Sequence, residues 1–522
     1  MDYRAVNQPM YEDNTQISSV WAAMALAKGD IVERSKEYAR LTVPSICPQD
    51  NSGNTEQEHA NVMIGPRVIN FLAHKLIGTM FPHDRPFFKV DLNPKVEFAL
   101  SKTVEQKVID QQKVDIAARG MQVTKVAMTE LNMVKYRPMA IETAKHLIVT
   151  GNATIRRLPD NTRVVYGVRD FGCFRGLNGE VYDIILRDIS RLDGLEPEVQ
   201  AHVRAQRVGA KHNDIVTVYS RWKREGKRWR FTQAVDDTPM PSFSMIAEKD
   251  FPLIALTWTL AKGEHYGRGL VEDNIAAFNA IDVSTTALLE LFGIAADIKF
   301  LVNPGSVIDI AELIKSKRGS FHYGNEGDIT SPEVGRQKGQ DMQVLASTIE
   351  RMERSVSQAF LMSSGGVRDA ERVTAEEIRF FAKEIESAYG GLYSTMSLVW
   401  QMKEAQWAMS QVDESIPDVL EVKISTGIDA LSQETALESL RMSLSDLGLL
   451  NGVPEDVRGV LSTTRIAKFL FMNRNLPFDQ FTLTDDELKQ RAAEQQQQQQ
   501  ALMQMQTQQN VQTEVAKGAA KG

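Results

Sequence analysis

Cysteine is nearly absent: the 522-residue chain has two, Cys47 and Cys173, and no CxxC pair or Cys/His cluster. That excludes a disulfide scaffold and a structural zinc site, and it suits a reducing compartment. The eight histidines are scattered, with no HExxH and no close pair at ligand spacing, so each reads as structural and no metal site is expected. An excess of positive charge is also missing. With 60 Lys and Arg against 68 Asp and Glu, the formal net charge of −8 excludes a tight, general nucleic-acid binder. There is no GxxxxGK[ST] and no GxSxG, so the GEHYGRG run at 263–269 is no nucleotide cradle. Neither a catalytic residue nor a cofactor is expected. The carboxylate pairs Glu376-Glu377 and Asp485-Asp486 open helices, where negative charge suits the dipole. No stretch is expected to approach the roughly 20 apolar residues of a membrane span. The N-terminal Asp2, Glu12 and Asp13 do not form the basic flank of a leader, so the expectation is a protein of the cytosol, or one assembled there.

What is present is a globular share of apolar residues, 43%, enough for large cores in two to four domains or one elongated body. The centre of the chain, about 266 to 410, reads as three long helices. In the first, Val271, Ile275, Phe278, Ile281, Leu288, Phe292 and Ala295 form one apolar stripe. Met342, Leu345, Ile349, Met352 and Val356 do the same in the second. The third is expected to be one very long helix with a stripe of Ile378, Phe381, Ile385, Tyr389, Leu392, Met396, Val399 and Met402. Between the first two, Lys299 to Val334 is punctuated by Asn303-Pro304-Gly305, Arg318-Gly319, Tyr323-Gly324-Asn325 and Ser331-Pro332, which predicts a small β-rich unit. Two helices of roughly 26 residues run about 40 Å each. Such a pair makes a poor compact domain and a good spoke, because neighbouring copies would cover flanks that one chain leaves bare. Between helices two and three, Ser363-Ser364-Gly365-Gly366-Val367-Arg368-Asp369-Ala370 reads as a loop. It runs into a capping box of Thr374 and Glu377, with Val373 and Ile378 as staple.

Before this centre, residues 1 to about 80 read helical, with helices at Ile31–Leu41 and about Asn61–Met80, and two or three more follow to about Val149 with breaks or kinks at Gly120 and Pro138. At Gly151-Asn152 the period switches to strands. Ala153–Leu158 and Arg163–Val168 flank a turn, and Asn178-Gly179 signals a hairpin before Val181–Ile185. A second hairpin spans Ile215–Phe231 with its turn at Glu225-Gly226, and Leu192–Gln206 between them looks helical. The run from Arg221 to Arg230 interleaves cations with Trp222 and Trp229 like a single-strand stacking platform. Alternation nevertheless puts both tryptophans on the buried face and the cations on the wet one. After the third helix, Pro417–Ile424 is extended, helices follow around 431–444, 453–461 and 464–471, and a capping box at Thr484 and Glu487 starts a last helix. The Gln-rich tail beyond buries little and is expected to fray.

Several stretches together resemble the portal, or head-to-tail connector, proteins of short-tailed phages of the autographivirus type. They are YARLTVPSICP at 38–48, LIGTMFP at 76–82, Gly151-Asn152, HYGRG at 265–269, VNPG at 302–305, RVTAEEIR at 372–379, GGLYS at 390–394 and ISTG at 424–427. They keep the family's order across roughly residues 30 to 480. The resemblance implies an α+β, mainly α portal fold assembled as a dodecameric ring at one capsid vertex. Double-stranded DNA would be pumped in through it by a separate terminase motor and would leave through it later. Its parts would be a wing of 1–150, 151–269 and 372–427, stem helices at 270–297 and 337–362, a clip at 298–336, a tunnel loop at 363–371 and a crown at 428–480. The 481–522 segment would be a helical barrel or disordered.

Further partners implied are a tail adaptor and the major capsid and scaffolding proteins, with assembly in the host bacterial cytoplasm, a place in the virion and no membrane. The tunnel loop would comprise Ser363, Ser364, Gly365, Gly366, Val367, Arg368 and Asp369. DNA-backbone contacts would come from Arg368, Arg372, Lys315, Lys317 and Arg318, although Arg368 and Arg372 read equally well as ion pairs with Glu376 or Asp369. Asn303, Pro304, Gly305, Lys315, Arg318 and Tyr323 would dock partners at the clip. Two rival readings are an internal ejection protein that meets membranes through amphipathic helices, and a packaging ATPase. The β insert and the lack of a basic amphipathic face weigh against the first, the missing phosphate loop against the second.

Overall fold

The switch of period at Gly151 is where helices give way to sheet. The computed structural model describes residues 16–49, 57–83, 86–92, 122–206, 213–296, 300–317, 320–330, 334–362, 375–412 and 420–425, with a few isolated positions besides. The chain divides into two compact units, 1–427 and 428–522. In the second, only 441–442, 445–446, 466–467 and 470 are described, all helical, so the crown and tail expectations lie outside the described residues.

In the first unit, α1 (Ile17–Ala27), α2 (Gly29–Leu41) and α3 (Ile64–Met80) precede strand β1 (Phe88–Leu92). A helical stretch over 122–133 then ends at Lys135, in the left-handed region at φ 52°, and α4 (Tyr136–Thr150) begins. Pro138 therefore falls in the first turn of α4, where a missing N–H costs nothing, and the expected break belongs to Lys135 instead. Gly120 is itself helical and lies against Val90, but its neighbours on both sides lie outside the described residues.

The expected hairpins form. β2 (Asn152–Arg157) and β3 (Arg163–Gly167) pair antiparallel, and β4 (Phe171–Arg175) pairs with β5 (Val181–Arg191) across a turn with Gly179 at φ 81°. The 3-10 turn Leu192–Gly194 and α5 (Pro197–Gln206) follow. Then come β6 (Ile215–Glu225), β7 (Arg228–Val235), β8 (Thr238–Ala247) and β9 (Leu253–Thr257). One sheet has the order β4-β5-β6-β7-β8 and another the order β3-β2-β9. Between them, Trp222, Trp229, Phe171, Ile184, Leu186 and Leu253 form a buried cluster. Both tryptophans of the basic run are thus in the core. Three of its four arginines are tied by acids: Arg221 to Asp183 at 2.6 Å, Arg224 to Glu180 at 3.1 Å and Arg230 to Glu225 at 3.0 Å. No stacking platform for a nucleic-acid strand is left there. The α1–α2 corner is fastened to the β3–β4 turn by buried Lys28, whose ammonium donates to Val168 O at 2.7 Å and Phe171 O at 2.5 Å.

The first long helix, α6 (Ile275–Ala296), follows one helical turn at Leu270–Asp273, and the second is α8 (Val334–Ala359). Between them, β10 (Leu301–Val302) and β11 (Ile329–Thr330) pair through two residues each, and α7 (Ile310–Lys315) is a short helix. Among its described residues the insert is thus mostly irregular chain rather than β-rich. Its length goes into side-chain-capped turns such as Asp309, which caps α7 by accepting from Ala311 N and Glu312 N.

The third helix is not continuous. α9 (Ala375–Ala388) stops at Gly390 and Gly391, with φ of 57° and 85°. α10 (Leu392–Met396), a π-turn at Ser397–Gln401 and α11 (Met402–Val412) follow. Two left-handed residues in a row end an α-helix. The π-turn then adds a residue, so the buried face moves to Trp400, Gln401 and Glu404 and leaves Val399 exposed. β12 (Leu420–Ile424) closes the unit by pairing with β1.

Candidate functional site

The candidate functional region is the long-helix pair, the insert at its tip and the joint at its base. The joint is built of glycine. Gly151, at φ 76°, closes α4, and the Arg268–Gly269 backbone crosses directly over it, with Gly269 N 2.5 Å from where a Gly151 Cβ would sit. Gly269 presses back on Ile148 O and Gly151 N, and Gly267 on Thr259 O and Gly151 O. Asn152 locks the crossing: its Oδ1 accepts from Gly267 N at 2.7 Å and its Nδ2 donates to Gly267 O at 2.8 Å. Tyr266 Oη accepts from Cys173 N at 3.0 Å, fastening the same loop to β4. Two short motifs more than a hundred residues apart are therefore one structural node, from which the long helix departs.

The base of α6 is held by polar bonds. Asp282 accepts from Arg40 Nη2 at 3.1 Å and from Asn61 N at 2.8 Å, and Thr286 Oγ1 accepts from Asn61 Nδ2 at 2.9 Å. α6 and α8 run antiparallel, with Phe278 near the start of one against Phe360 at the end of the other, ring centroids 5.8 Å apart. Of the expected stripe, Val271, Phe278 and Ile281 are buried, whereas Phe292 is half exposed. Val283 is 70% exposed, and Leu289 and Ile294 are also exposed. One sequence expectation is corrected here. Ile275–Ile294 is long and apolar enough to cross a membrane by length and composition, with Asp282 and Glu290 its only charges, and 11% of the apolar window is buried.

At the tip, Asn303, Pro304 and Gly305 make a turn in which Ser306 N donates to Asn303 O at 2.9 Å and Gly305 N to Asn303 Oδ1 at 3.2 Å. All three are exposed, as are Lys315, Lys317 and Tyr323. Buried Asp328 holds the unit together, accepting from Asn325 N at 2.7 Å, while its carbonyl accepts from Asn303 N at 2.9 Å. Arg318, Arg372 and the loop residues Ser363, Ser364, Gly365, Gly366, Val367, Arg368 and Asp369 lie outside the described residues. So does the Thr374 end of the capping box. Just before that loop, α8 ends in a Schellman turn: Met362 N donates to Ser357 O at 2.7 Å, and Leu361 takes the left-handed position at φ 57°.

The sequence reading passed over the apolar surface of the insert. Phe321 is fully exposed, as is Tyr323 two residues on, and Phe300, Leu301, Val307 and Ile314 of the same insert are exposed too. Their density in a short, turn-rich stretch is the signal that could have found them, since such residues have no core of their own to fill.

A family model described as bacteriophage head to tail connecting protein matches residues 14–479. A portal protein of Enterobacteria phage SP6 is 29% identical over 92% of this chain and 92% of its own length. A portal protein of Pseudomonas phage phiKMV is 30% identical over 90% of this chain and 92% of its own length. Among solved structures, a chain from the virion of a native gene transfer agent particle aligns with 89% of this chain and 99% of its own length, at TM-score 0.37 and 11% identity. A match from residue 14 to residue 479 takes in the glycine joint, both long helices and the insert, and the chain belongs to the bacteriophage head-to-tail connecting protein family.

Proposed function

We propose that the chain is a portal protein: a non-enzymatic ring subunit at one vertex of the capsid, through whose channel double-stranded DNA enters and later leaves. The observation that carries this reading is α6, anchored at its base through Asp282 and bare and apolar along its outer half. A helix of that kind in a water-soluble body needs a neighbour, and copies set side by side around an axis provide one for each flank. α6 and α8 serve as the stem, the insert as the clip, the glycine joint as the attachment of stem to wing, and 363–371 as the tunnel loop. A terminase motor, and later a tail adaptor, dock on the clip through Asn303–Gly305, Lys315, Arg318 and Tyr323, with Phe321 as an added aromatic anchor. The wing and crown face capsid and scaffolding proteins during assembly in the host cytoplasm.

The charge balance suits a channel. Each phosphate neutralised by a fixed cation releases counterions and tightens binding, so a strongly basic lumen would hold DNA rather than pass it. A few cations, Lys315, Lys317 and Arg318 at the clip and Arg368 and Arg372 at the loop, guide the backbone without arresting it. Replacing Arg368 and Arg372 together by alanine is expected to impair DNA retention or packaging in an infection complementation assay. Unchanged yield and genome content would withdraw both residues from the DNA path and leave them to ion pairs with Glu376 or Asp369.

The reading as a whole is tested by mass photometry and negative-stain imaging of the purified, ATP-free protein. Rings with a central hole of duplex width are expected. Stable compact dimers, ATP hydrolysis, or a monomer that floats with lipid vesicles would overturn it. The last outcome would favour the ejection-protein reading, which the length and composition of α6 would then support.

A further inference from the structure

Where α3, α4, the β2–β3 hairpin and the π-turn meet, enclosed polar atoms gather with few partners. Arg163 on β3 donates through Nε and Nη2, at 3.3 and 3.2 Å, and both bonds fall on Oε2 of Glu404. Both side chains are sealed from solvent, at 1% and 0% exposure. Glu404 Oε1 and Trp407 Nε1 are left with no hydrogen-bond partner, and Tyr136 Oη and Trp400 Nε1 have none but each other. Trp400, Glu404 and Trp407 are spaced four and three apart, on one face of α11 and the turn that leads into it. The Tyr136 phenol lies within reach of the Trp400 indole and of the charges of Glu404 and Arg163, and Phe81 seats its edge against both rings, with centroids 5.1 and 5.4 Å away.

Burial pushes the Glu404 carboxyl up to about 7 although Arg163 beside it acts the other way; a carboxyl oxygen left unbonded in a sealed site is costly in either state, and so many orphans in one place are rare. One acceptor and several donors are also a complementary set. A water can accept from an indole or phenol N–H or O–H while donating to the carboxylate, and buried waters commonly make about three such bonds. The π-turn is part of the reason the site exists. Its extra residue turns Trp400 inward, and Gln401 beside it donates to Met80 O at 2.5 Å, which keeps the turn from relaxing to an ordinary α-turn.

We propose that this cluster is a binding site for enclosed water, held by Glu404 Oε1, Tyr136 Oη and Trp400 Nε1, which joins the N-terminal helices, the β2–β3 hairpin and the π-turn. The water completes the coordination of the carboxylate that Arg163 reaches from one side only. It also lets three elements meet at a polar centre without direct contact between all of their side chains.

The test is a density map of the assembled wild-type protein fine enough to show ordered water, with a matching map of Tyr136→Phe. Expected in the wild type is a peak within hydrogen-bond distance of Glu404 Oε1 and at least one of the two donors. In Tyr136→Phe, which removes one ligand and no volume from the ring, that peak should weaken or move while Glu404 and Trp400 stay in place. A dry site with Tyr136 Oη donating directly to Glu404 would overturn the proposal. So would a peak that Tyr136→Phe leaves untouched, because the assigned ligands would then not be the ones that hold it. Thermal unfolding of the same pair gives a second readout: a lower midpoint for Tyr136→Phe agrees with a lost ligand, and an equal or higher one contradicts it.

Discussion

Replacing Gly151 with alanine is expected to cost about 4 kcal/mol, at the severe end for one methyl group. Two effects add. Gly151 sits at φ 76°, where an L-residue with a side chain is strained by about 1–2 kcal/mol. The new Cβ would also meet Gly269 N at 2.5 Å and Arg268 Cα at 2.8 Å. These are backbone atoms, so no rotamer change makes room. Relief requires moving the 266–269 loop away from α4, which breaks the bonds of Asn152 to both backbone groups of Gly267. Gly226 is the natural control, since its φ is 64° and nothing lies within 4 Å of its would-be Cβ. Gly226→Ala should lose only the strain, about 1 kcal/mol. Denaturant unfolding of the two variants, with soluble yield as a second readout, separates the cases. Equal midpoints would show that the crossing is looser than the geometry implies and that the joint does not fix the direction of α6.

The second large effect concerns assembly rather than folding. Val283→Asp combined with Phe292→Asp should abolish rings while leaving the monomer's melting temperature close to that of the wild type. Val283 is 70% exposed and Phe292 51% exposed in the single chain, so charge there costs the fold little. Between copies the balance reverses. Each apolar side chain removed from water contributes about 1.5–3 kcal/mol, and an unpaired carboxylate in its place must be dehydrated. The contact recurs at every subunit boundary, so the loss multiplies around a closed ring. Ile281→Asp is the contrasting variant: that side chain is fully buried within one chain, and its replacement should unfold the protein before assembly becomes a question. Mass photometry alongside thermal unfolding reads both properties. Normal rings from the double variant would mean that the outer half of α6 does not form the subunit contact.

Local pattern accounts for much of what was legible. The hairpins at 178–181 and 225–228 were readable because a tight turn demands residues that tolerate positive φ, and the burial of Trp222 and Trp229 followed from strand alternation. The stripe on α8 held for the same reason, with Ile349 and Val356 buried at helical spacing. The third helix failed where that logic assumes an unbroken period. Gly390-Gly391 and the π-turn each shift the face, and a shift of one residue moves burial from Val399 to Trp400.

Composition and period alone determined that this protein is mainly helical, has an antiparallel sheet unit and lacks any catalytic or metal-binding pattern. The family resemblance marked Gly151-Asn152 and HYGRG as motifs, without a physical reason for either. Only the tertiary structure decided that these two glycine motifs cross in contact, that Arg163 meets Glu404 in a sealed centre, and that the apolar stripe of α6 is buried at one end and bare at the other. The physical reason is the same in each case. Propensity and period act over a few residues, whereas close backbone approach, ion-pair desolvation and exposure depend on which distant segment, or which second chain, lies opposite.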